Sequence, residues 1–389
     1  MSRMRYHKCL TVALALATLL CLDAYIRWSP LGEPDPVPLP LATTPAPPTT
    51  PAPPLPLHHS LQILANMVPR ADAYWNRQLH QRLEELGGGN GTSASAGTAA
   101  SLGVPDWAAY PEPLQRFVSH GARRHYPLLL EPSRPCPPDG PFLLLAIKSA
   151  PGAFAERQAV RQSWGQAGAG VRTVFLLGAP DGDGDTPDIS GLVAWESRAH
   201  GDVLAWGFQD AFFNLTLKGL LFLGWAGAHC PGARFVLLGD DDVFVNTPRL
   251  LQLLAGLGPG PVYAGHVMAG AWPVRAPGSK YYVPESFYAG PYPAYAGGGG
   301  YVFSGALLGP LQVLAGLLPP FPIDDVFAGL CFRALGVAAR PHPGFRTFDI
   351  APSDRASPCA HRALLLVHRR QPPETLRLWR QVRDPQLQC

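Results

Sequence analysis

Short, largely apolar runs punctuate the chain from residue 142 onward. Phe142-Leu143-Leu144-Leu145-Ala146-Ile147 is the first, Val171 to Leu177 the second and Phe235-Val236-Leu237-Leu238 the third. Runs of this length without alternation suit strands covered on both faces. Ala211 to Cys230, closed by Pro231, reads as a largely apolar helix. Buried strands alternating with helices predict an α/β domain with a largely parallel sheet, from about residue 136 to 389. No internal repeat is apparent.

The first 135 residues have a different texture. Arg3, Arg5 and Lys8 precede an apolar run from Leu10 to Leu22, broken by Asp23 and resumed to Trp28. A cleavable signal peptide needs a small-residue cleavage site, which Cys21 to Tyr25 do not offer convincingly. The reading is a transmembrane signal anchor at 9–28 with a cytoplasmic tail at 1–8, placing all that follows in the lumen. Residues 30–56 contain twelve prolines, a composition that extends rather than packs. Residues 60–86 could form an amphipathic helix, stopped by Gly87-Gly88-Gly89. The segment 29–135 reads as a stem, with a small folded domain as the alternative. Asn90-Gly91-Thr92 in the exposed Gly/Ser tract is a glycosylation sequon. Asn214-Leu215-Thr216 is another, but on the apolar helix.

A net charge of +3, without a Lys/Arg run, argues against nucleic acid as a partner. Cys136, Cys230, Cys331, Cys359 and Cys389 would meet an oxidising lumen. Five is odd, so one is free or bridges to another chain, plausibly Cys389. No C-x-x-C spacing suggests zinc.

The chemistry concentrates in acids. Asp240-Asp241-Asp242 follow the third apolar run directly, and ligands in open α/β sheets bind beyond the carboxyl ends of strands. Three clustered anions are unfavourable unless a cation or hydrogen-bonded ligand answers them. A solvated acidic turn is one reading. The other is a Mg²⁺ or Mn²⁺ site bridging a nucleotide diphosphate. In extended chain Asp240 and Asp242 share a side and Asp241 takes the other. A second pair, Asp324-Asp325, opens a helix-like stretch. It could cap that helix, or Asp325 could take the proton of an acceptor hydroxyl. Between them Tyr292 to Tyr301 includes Gly297 to Gly300, either a flexible loop or one that lets backbone approach a ligand. Arg157 and Arg161 sit four apart on one helical face, solvated or meeting a diphosphate. His368 ends the run Leu364 to Val367; a lone histidine there is commonly structural. Asp181 to Thr186 lacks the glycine and glutamate of a calcium loop.

In order, the segments Arg157–Gly165, Phe175–Gly178, Asn214–Lys218, Asp240–Asn246, Tyr292–Tyr301, Ile323–Gly329 and Leu365–His368 resemble glycosyltransferase family 31. These are the β1,3-galactosyl- and β1,3-N-acetylglucosaminyltransferases, and Ser279–Glu285 with Phe321–Asp325 resembles the latter branch. The resemblance implies the nucleotide-sugar A-type fold and an inverting reaction in the Golgi. It implies UDP-GlcNAc as donor and a galactose-terminated glycan as acceptor, extending poly-N-acetyllactosamine. It assigns Mn²⁺ or Mg²⁺ to Asp242 and His368. Donor contacts would come from Arg157, Arg161, Asp240, Asp241, Gly298 and Gly299. Asp325 would be the base and Cys331–Cys359 a disulfide, with Cys136–Cys230 a looser expectation. A galactosyltransferase of the same fold, and a weakly active subunit that binds and activates a related transferase, are the alternatives.

Overall fold

The apolar runs fold as strands whose alternate residues point into two different cores. In β2 (Leu143–Lys148), Leu144 and Ala146 enter one core and Leu143, Leu145 and Ile147 the other. In β3 (Val171–Ala179) and β5 (Phe235–Asp240) neighbouring residues divide in the same way. This is the period-two geometry of a sheet sandwiched between helical layers. A computed structural model describes residues 56–87, 103–121, 123–134, 136–168, 170–180, 187–258 and 260–389.

The other strands of the main sheet are β1 (Leu128–Leu130), β4 (Val203–Gln209), β7 (Tyr263–Gly265), β10 (Gly300–Ser304) and β11 (Arg340–Pro341). Their order is β1-β4-β3-β2-β5-β10-β7-β11. The central block β4-β3-β2-β5 is parallel, and β10 runs antiparallel to both β5 and β7. A small sheet joins β6 (Phe244–Val245), β12 (Phe345–Arg346) and β13 (Leu366–Val367). β8 (Val267–Met268) pairs with β9 (Tyr295–Ala296). The chain runs from β2 outward through β3 to β4, then returns to β2's other edge as β5. The strand order therefore reverses between β2 and β5, where crevices form in open α/β sheets.

The helices are α1 (Leu57–Met67), α2 (Tyr74–Leu86), α3 (Glu112–His120), α4 (Phe154–Gln162), α5 (Ser190–His200) and α6 (Leu215–His229). They continue with α7 (Thr247–Ala255), α8 (Leu308–Leu317), α9 (Asp324–Ala334), α10 (Pro358–Ala363) and α11 (Pro372–Val382). One layer holds α6, α8 and α9; the other holds α4, α5, α7 and α11. Asn246 caps α7 by accepting from Arg249 N, and Gln371 with Glu374 forms a capping box on α11.

Three features depart from the sequence reading. Residues 57–86 form two helices, not one, because Pro69 falls between them. Part of the expected stem also belongs to the catalytic unit: Leu64, Trp75, Leu79, Leu114 and Phe117 are buried in the same core as α9. The cysteine pairing is the third. Cys136 bonds to Cys230 and Cys359 to Cys389. The Cys331–Cys359 pairing is thereby corrected, since Cys331 lies inside the core on α9 while Cys359 lies beside the chain end. Among the described residues the unpaired thiol is Cys331, not Cys389. Among the described residues no helix is long and apolar enough to cross a membrane. The anchor expected at 9–28 and the sequon at Asn90 lie outside those residues.

Candidate active site

β2 and β5 pair in parallel register, Leu143 opposite Phe235 through Lys148 opposite Asp240. The register therefore ends on a lysine and an aspartate side by side. Lys148 is buried, and its Nζ reaches Asp240 Oδ1 at 2.9 Å, Asp324 Oδ2 at 2.8 Å and Gly298 O at 3.2 Å. Burial alone would discharge this amine, but the two carboxylates outweigh it and hold it protonated. Asp324 does not cap α9 through its side chain, as its sequence position allows; it serves as Lys148's second partner.

Beyond β5 the chain turns, and Asp240 and Asp242 both face His368. The small sheet brings them together: β13 runs antiparallel to β6, Leu366 opposite Val245 and Val367 opposite Phe244. One residue further, that register runs out opposite Val243, and His368 reaches the adjacent Asp242. His368 Nε2 lies 3.0 Å from Asp242 Oδ1 and 3.7 Å from Asp240 Oδ2. Its Nδ1 lies 2.9 Å from the Thr347 carbonyl, which can only accept, so Nδ1 carries the proton and Nε2 faces the acids. Burial disfavours the imidazolium, but Asp242 outweighs it and raises the His368 pKa. One atom each from Asp240, Asp242 and His368 lie within 4.8 Å of one another. Two carboxylate oxygens and an imidazole nitrogen, converging without a thiolate, fit Mn²⁺ or Mg²⁺.

Asp241 takes the other side. Its Oδ2 is buried without a hydrogen-bond partner. Burial, reinforced by Asp240 and Asp242, pushes its pKa up to about 7 against the opposing bond from Ser149. Close by, the buried Lys218 bridges Ser149 O at 2.6 Å and Asp210 Oδ2 at 2.8 Å.

Asp325 stands across the glycine loop. Its Oδ2 accepts from Gly298 N at 3.0 Å and its Oδ1 from Val326 N at 2.9 Å. Burial and the neighbouring Asp324 raise its pKa to about 7, although Lys148 opposes them. The glycines are needed for close approach within the protein. A Cβ on Gly297 would sit 2.8 Å from Thr347, one on Gly299 3.0 Å from His368 Nδ1, and one on Gly298 3.4 Å from Asp325. The loop is thus the common wall behind the candidate base and the histidine.

All these groups open into one cavity of about 730 Å³, rimmed by Trp272, Tyr281, Tyr295 and Phe348. That volume suits a nucleotide sugar with part of an acceptor. The sequence reading placed Arg157 and Arg161 at the donor. The structure instead commits them one layer behind the cavity. Arg157 is fully buried, pairs with Glu196 at 2.7 Å and donates to Ser149 Oγ, Ala150 O and Pro151 O. Arg161 spans Glu196 and Asp202. Glu196 and Asp202 consume the fork geometry that a diphosphate would need. They hold the β2–α4 turn whose Ser149 lines the cavity. At Asn214, the amide nitrogen a glycan would occupy donates to Gln209 O, and Thr216 of the same sequon is buried.

Sequence reasoning missed Lys148, Asp210 and Lys218. The signal was present for Lys148, a lone charge closing an otherwise apolar strand at the sheet's carboxyl edge.

The model of the Galactosyltransferase family matches residues 155–343. Human UDP-GlcNAc:betaGal beta-1,3-N-acetylglucosaminyltransferase 8 is 47% identical over 402 residues, covering 99% of this chain and 100% of that protein. The mouse protein of the same name is 46% identical, with the same coverage. Mouse N-acetyllactosaminide beta-1,3-N-acetylglucosaminyltransferase 2 is 40% identical, over 82% of this chain and 86% of that one. With the acids of two distant segments gathered at the sheet's switch point, and with full-length identity of this order, the chain belongs to glycosyltransferase family 31, among the β1,3-N-acetylglucosaminyltransferases.

Proposed function

We propose that the protein transfers GlcNAc from UDP-GlcNAc, with inversion, to the 3-hydroxyl of a terminal β-galactose, extending poly-N-acetyllactosamine. The names of its relatives support the donor, the acceptor sugar and the linkage. The observation that carries the mechanism is Asp325. Among the carboxylates on the cavity wall it has both oxygens oriented by backbone N–H groups and a pKa near neutrality. In a direct displacement the acceptor hydroxyl attacks the sugar's C1 as the bond to UDP breaks, and Asp325 takes the hydroxyl proton. One base suffices for inversion. Lys148 keeps the Gly298 carbonyl and Asp324 in place, so the base is held on two sides. Asp240 and Asp241 face the donor. Asp242 and His368 would hold a Mn²⁺ or Mg²⁺ ion, which when bound offsets the charge of the departing diphosphate. The N-terminal span would anchor the chain in the Golgi membrane with its catalytic part in the lumen.

The test offers UDP-GlcNAc and UDP-Gal in parallel to an N-acetyllactosamine acceptor. It uses the purified lumenal part, alone and with a related transferase, with and without EDTA. We expect GlcNAc transfer by the protein alone, lost in EDTA and restored by Mn²⁺ or Mg²⁺. Asp325→Asn should still bind UDP and lose about 10²–10⁴-fold in turnover. Galactose transfer would replace the donor assignment. Activity appearing only with the partner would favour an activating subunit. Full activity in EDTA would remove the cation.

A further inference from the structure

Among the described residues two non-glycine positions hold positive φ, Asp349 at 80° and Arg369 at 62°. Such backbone persists only where its surroundings over-determine it. Both residues border Arg370, whose side chain is completely buried and lies outside the cavity. Arg370 N donates to Asp242 O at 2.7 Å. Its Nη1 donates to His368 O at 3.0 Å and to Arg369 O at 3.2 Å. Its Nε donates to His361 Nε2 at 3.1 Å, the His361 Nδ1 proton being used on Ser357 O. Its Nη2 pairs with Asp349 Oδ1 at 2.7 Å.

Asp349 is in turn locked. Its second oxygen pairs with Arg355 at 2.5 Å, and Arg355 closes on both oxygens of Glu374 at the start of α11. Asp349 also ends the segment whose Thr347 carbonyl fixes the His368 ring. Arg370 therefore ties both loops, its main-chain N–H holding the Asp242 carbonyl and its guanidinium the His368 carbonyl. Its ion-pair partner sits two residues from the carbonyl that sets the imidazole tautomer.

We infer that Arg370, locked by Asp349, is a positioning residue for the cation pair Asp242 and His368. The two ligands come from loops 126 residues apart in sequence. A cation holds such a pair only if both loops are fixed to within about half an ångström. Among the described residues no side chain lining the cavity bonds to the main chain of both. The inference rests on the cation reading proposed above.

The test measures Mn²⁺ binding by the loss of the free-ion EPR signal, with UDP saturating, on the purified lumenal protein. Native protein, Asp242→Asn, Asp349→Asn and Arg370→Lys are compared, each with its melting temperature in cation-free buffer. Asp349→Asn keeps the side-chain shape and removes the charge that locks Arg370. Arg370→Lys keeps the charge and removes the fork that joins His361, Asp349 and the His368 carbonyl. Partners of a metal ligand that orient it commonly govern affinity by about 10–100-fold. We expect both variants to bind Mn²⁺ that much more weakly than native, with Arg370→Lys the weaker of the two and Asp349→Asn melting below native, because the buried Arg370 loses its counter-charge, yet folded at the temperature of the titration. Asp349→Asn is the milder change and decides the matter by itself if Arg370→Lys is recovered poorly. Native Mn²⁺ affinity in folded Asp349→Asn, whatever its melting temperature, would overturn the inference and leave Arg370 a structural residue. A native protein that takes up no Mn²⁺ would instead remove the cation reading, and the inference with it.

Discussion

Trp75 lies in the span that composition assigns to a stem, yet it is 1% exposed. Its ring meets Phe321 edge-on at 5.2 Å and Tyr288 at 5.6 Å, and its Nε1–H donates to the carbonyls of Pro319 and Pro320 at 3.2 and 3.1 Å. Phe321 is three residues before Asp324 and four before Asp325. The main chain is tied as well: Tyr74 N and Trp75 N donate to Ser286 O and Phe287 O, and Asn76 exchanges bonds with Ala289. The helices before residue 87 thus back both the segment carrying the base and the loop leading to Tyr292. Trp75→Ala should cost about 3–5 kcal/mol, the usual range for removing a buried large aromatic. At roughly 2–4 °C per kcal/mol, this lowers the melting temperature by about 6–20 °C. Trp75→Phe keeps most of the burial and loses the N–H donor, for about 1–2 kcal/mol. Thermal unfolding of the purified protein reads these values, with turnover measured at a temperature where both variants remain folded. A chain shortened to begin at residue 136 that melted and turned over like the longer one would refute the reasoning.

The remaining predictions concern the site. Because Asp325 must be ionised to accept a proton and its pKa is raised to about 7, kcat/KM should fall about tenfold per pH unit as pH drops below that value. Since the Lys148 charge holds that pKa down, Lys148→Met should move the limb to higher pH. A limb unmoved in Lys148→Met would separate Asp325 from it. Gly299→Ala places a Cβ against His368 Nδ1 and should weaken Mn²⁺ binding about tenfold. Gly298→Ala, with an ordinary 3.4 Å contact to Asp325, should retain cation affinity by the same EPR titration.

The layered fold was legible because β2, β3 and β5 are buried on both faces, so their sequences carry no polar alternation to confuse the reading. Asp240 to Asp242 were legible for a related reason: acids directly after such a strand sit at the sheet's carboxyl edge wherever the sheet goes. Lys148 was not, because its partner Asp324 is 176 residues away and only the β2–β5 register brings Asp240 beside it. Arg157 and Arg161 were misplaced since a shared helical face does not say which layer that face meets. Here it meets Glu196 and Asp202, contributed by α5 and the residue before β4. The disulfides turn on the same lack of information, as spacing alone does not put Cys389 beside Cys359.

The charges in the cavity show why its wall is glycine. Six carboxylates line it, those of Asp210, Asp240, Asp241, Asp242, Asp324 and Asp325. Lys218 answers Asp210, and Lys148 answers Asp240 and Asp324. Among the described residues no lysine or arginine pairs with Asp241, Asp242 or Asp325: Asp241 meets Ser149, Asp242 meets His368, and Asp325 accepts from two backbone N–H groups. A protein can relieve such a surplus by protonation, and the raised pKa values of Asp241 and Asp325 show that pressure. It can also be relieved by a cation brought with the donor, and Asp242 and His368 stand ready to take one. On the function proposed above, these two routes would serve different steps, so Asp325 and the Asp242–His368 pair would have to stay apart yet reach one substrate. The strip of backbone at Gly298 and Gly299 sets that spacing, with one residue against Asp325 and the next against His368. A Cβ at Gly299 would press on His368, whereas one at Gly298 meets Asp325 at an ordinary contact distance, so the spacing depends first on Gly299, and spacing of this kind is what a direct displacement tolerates least.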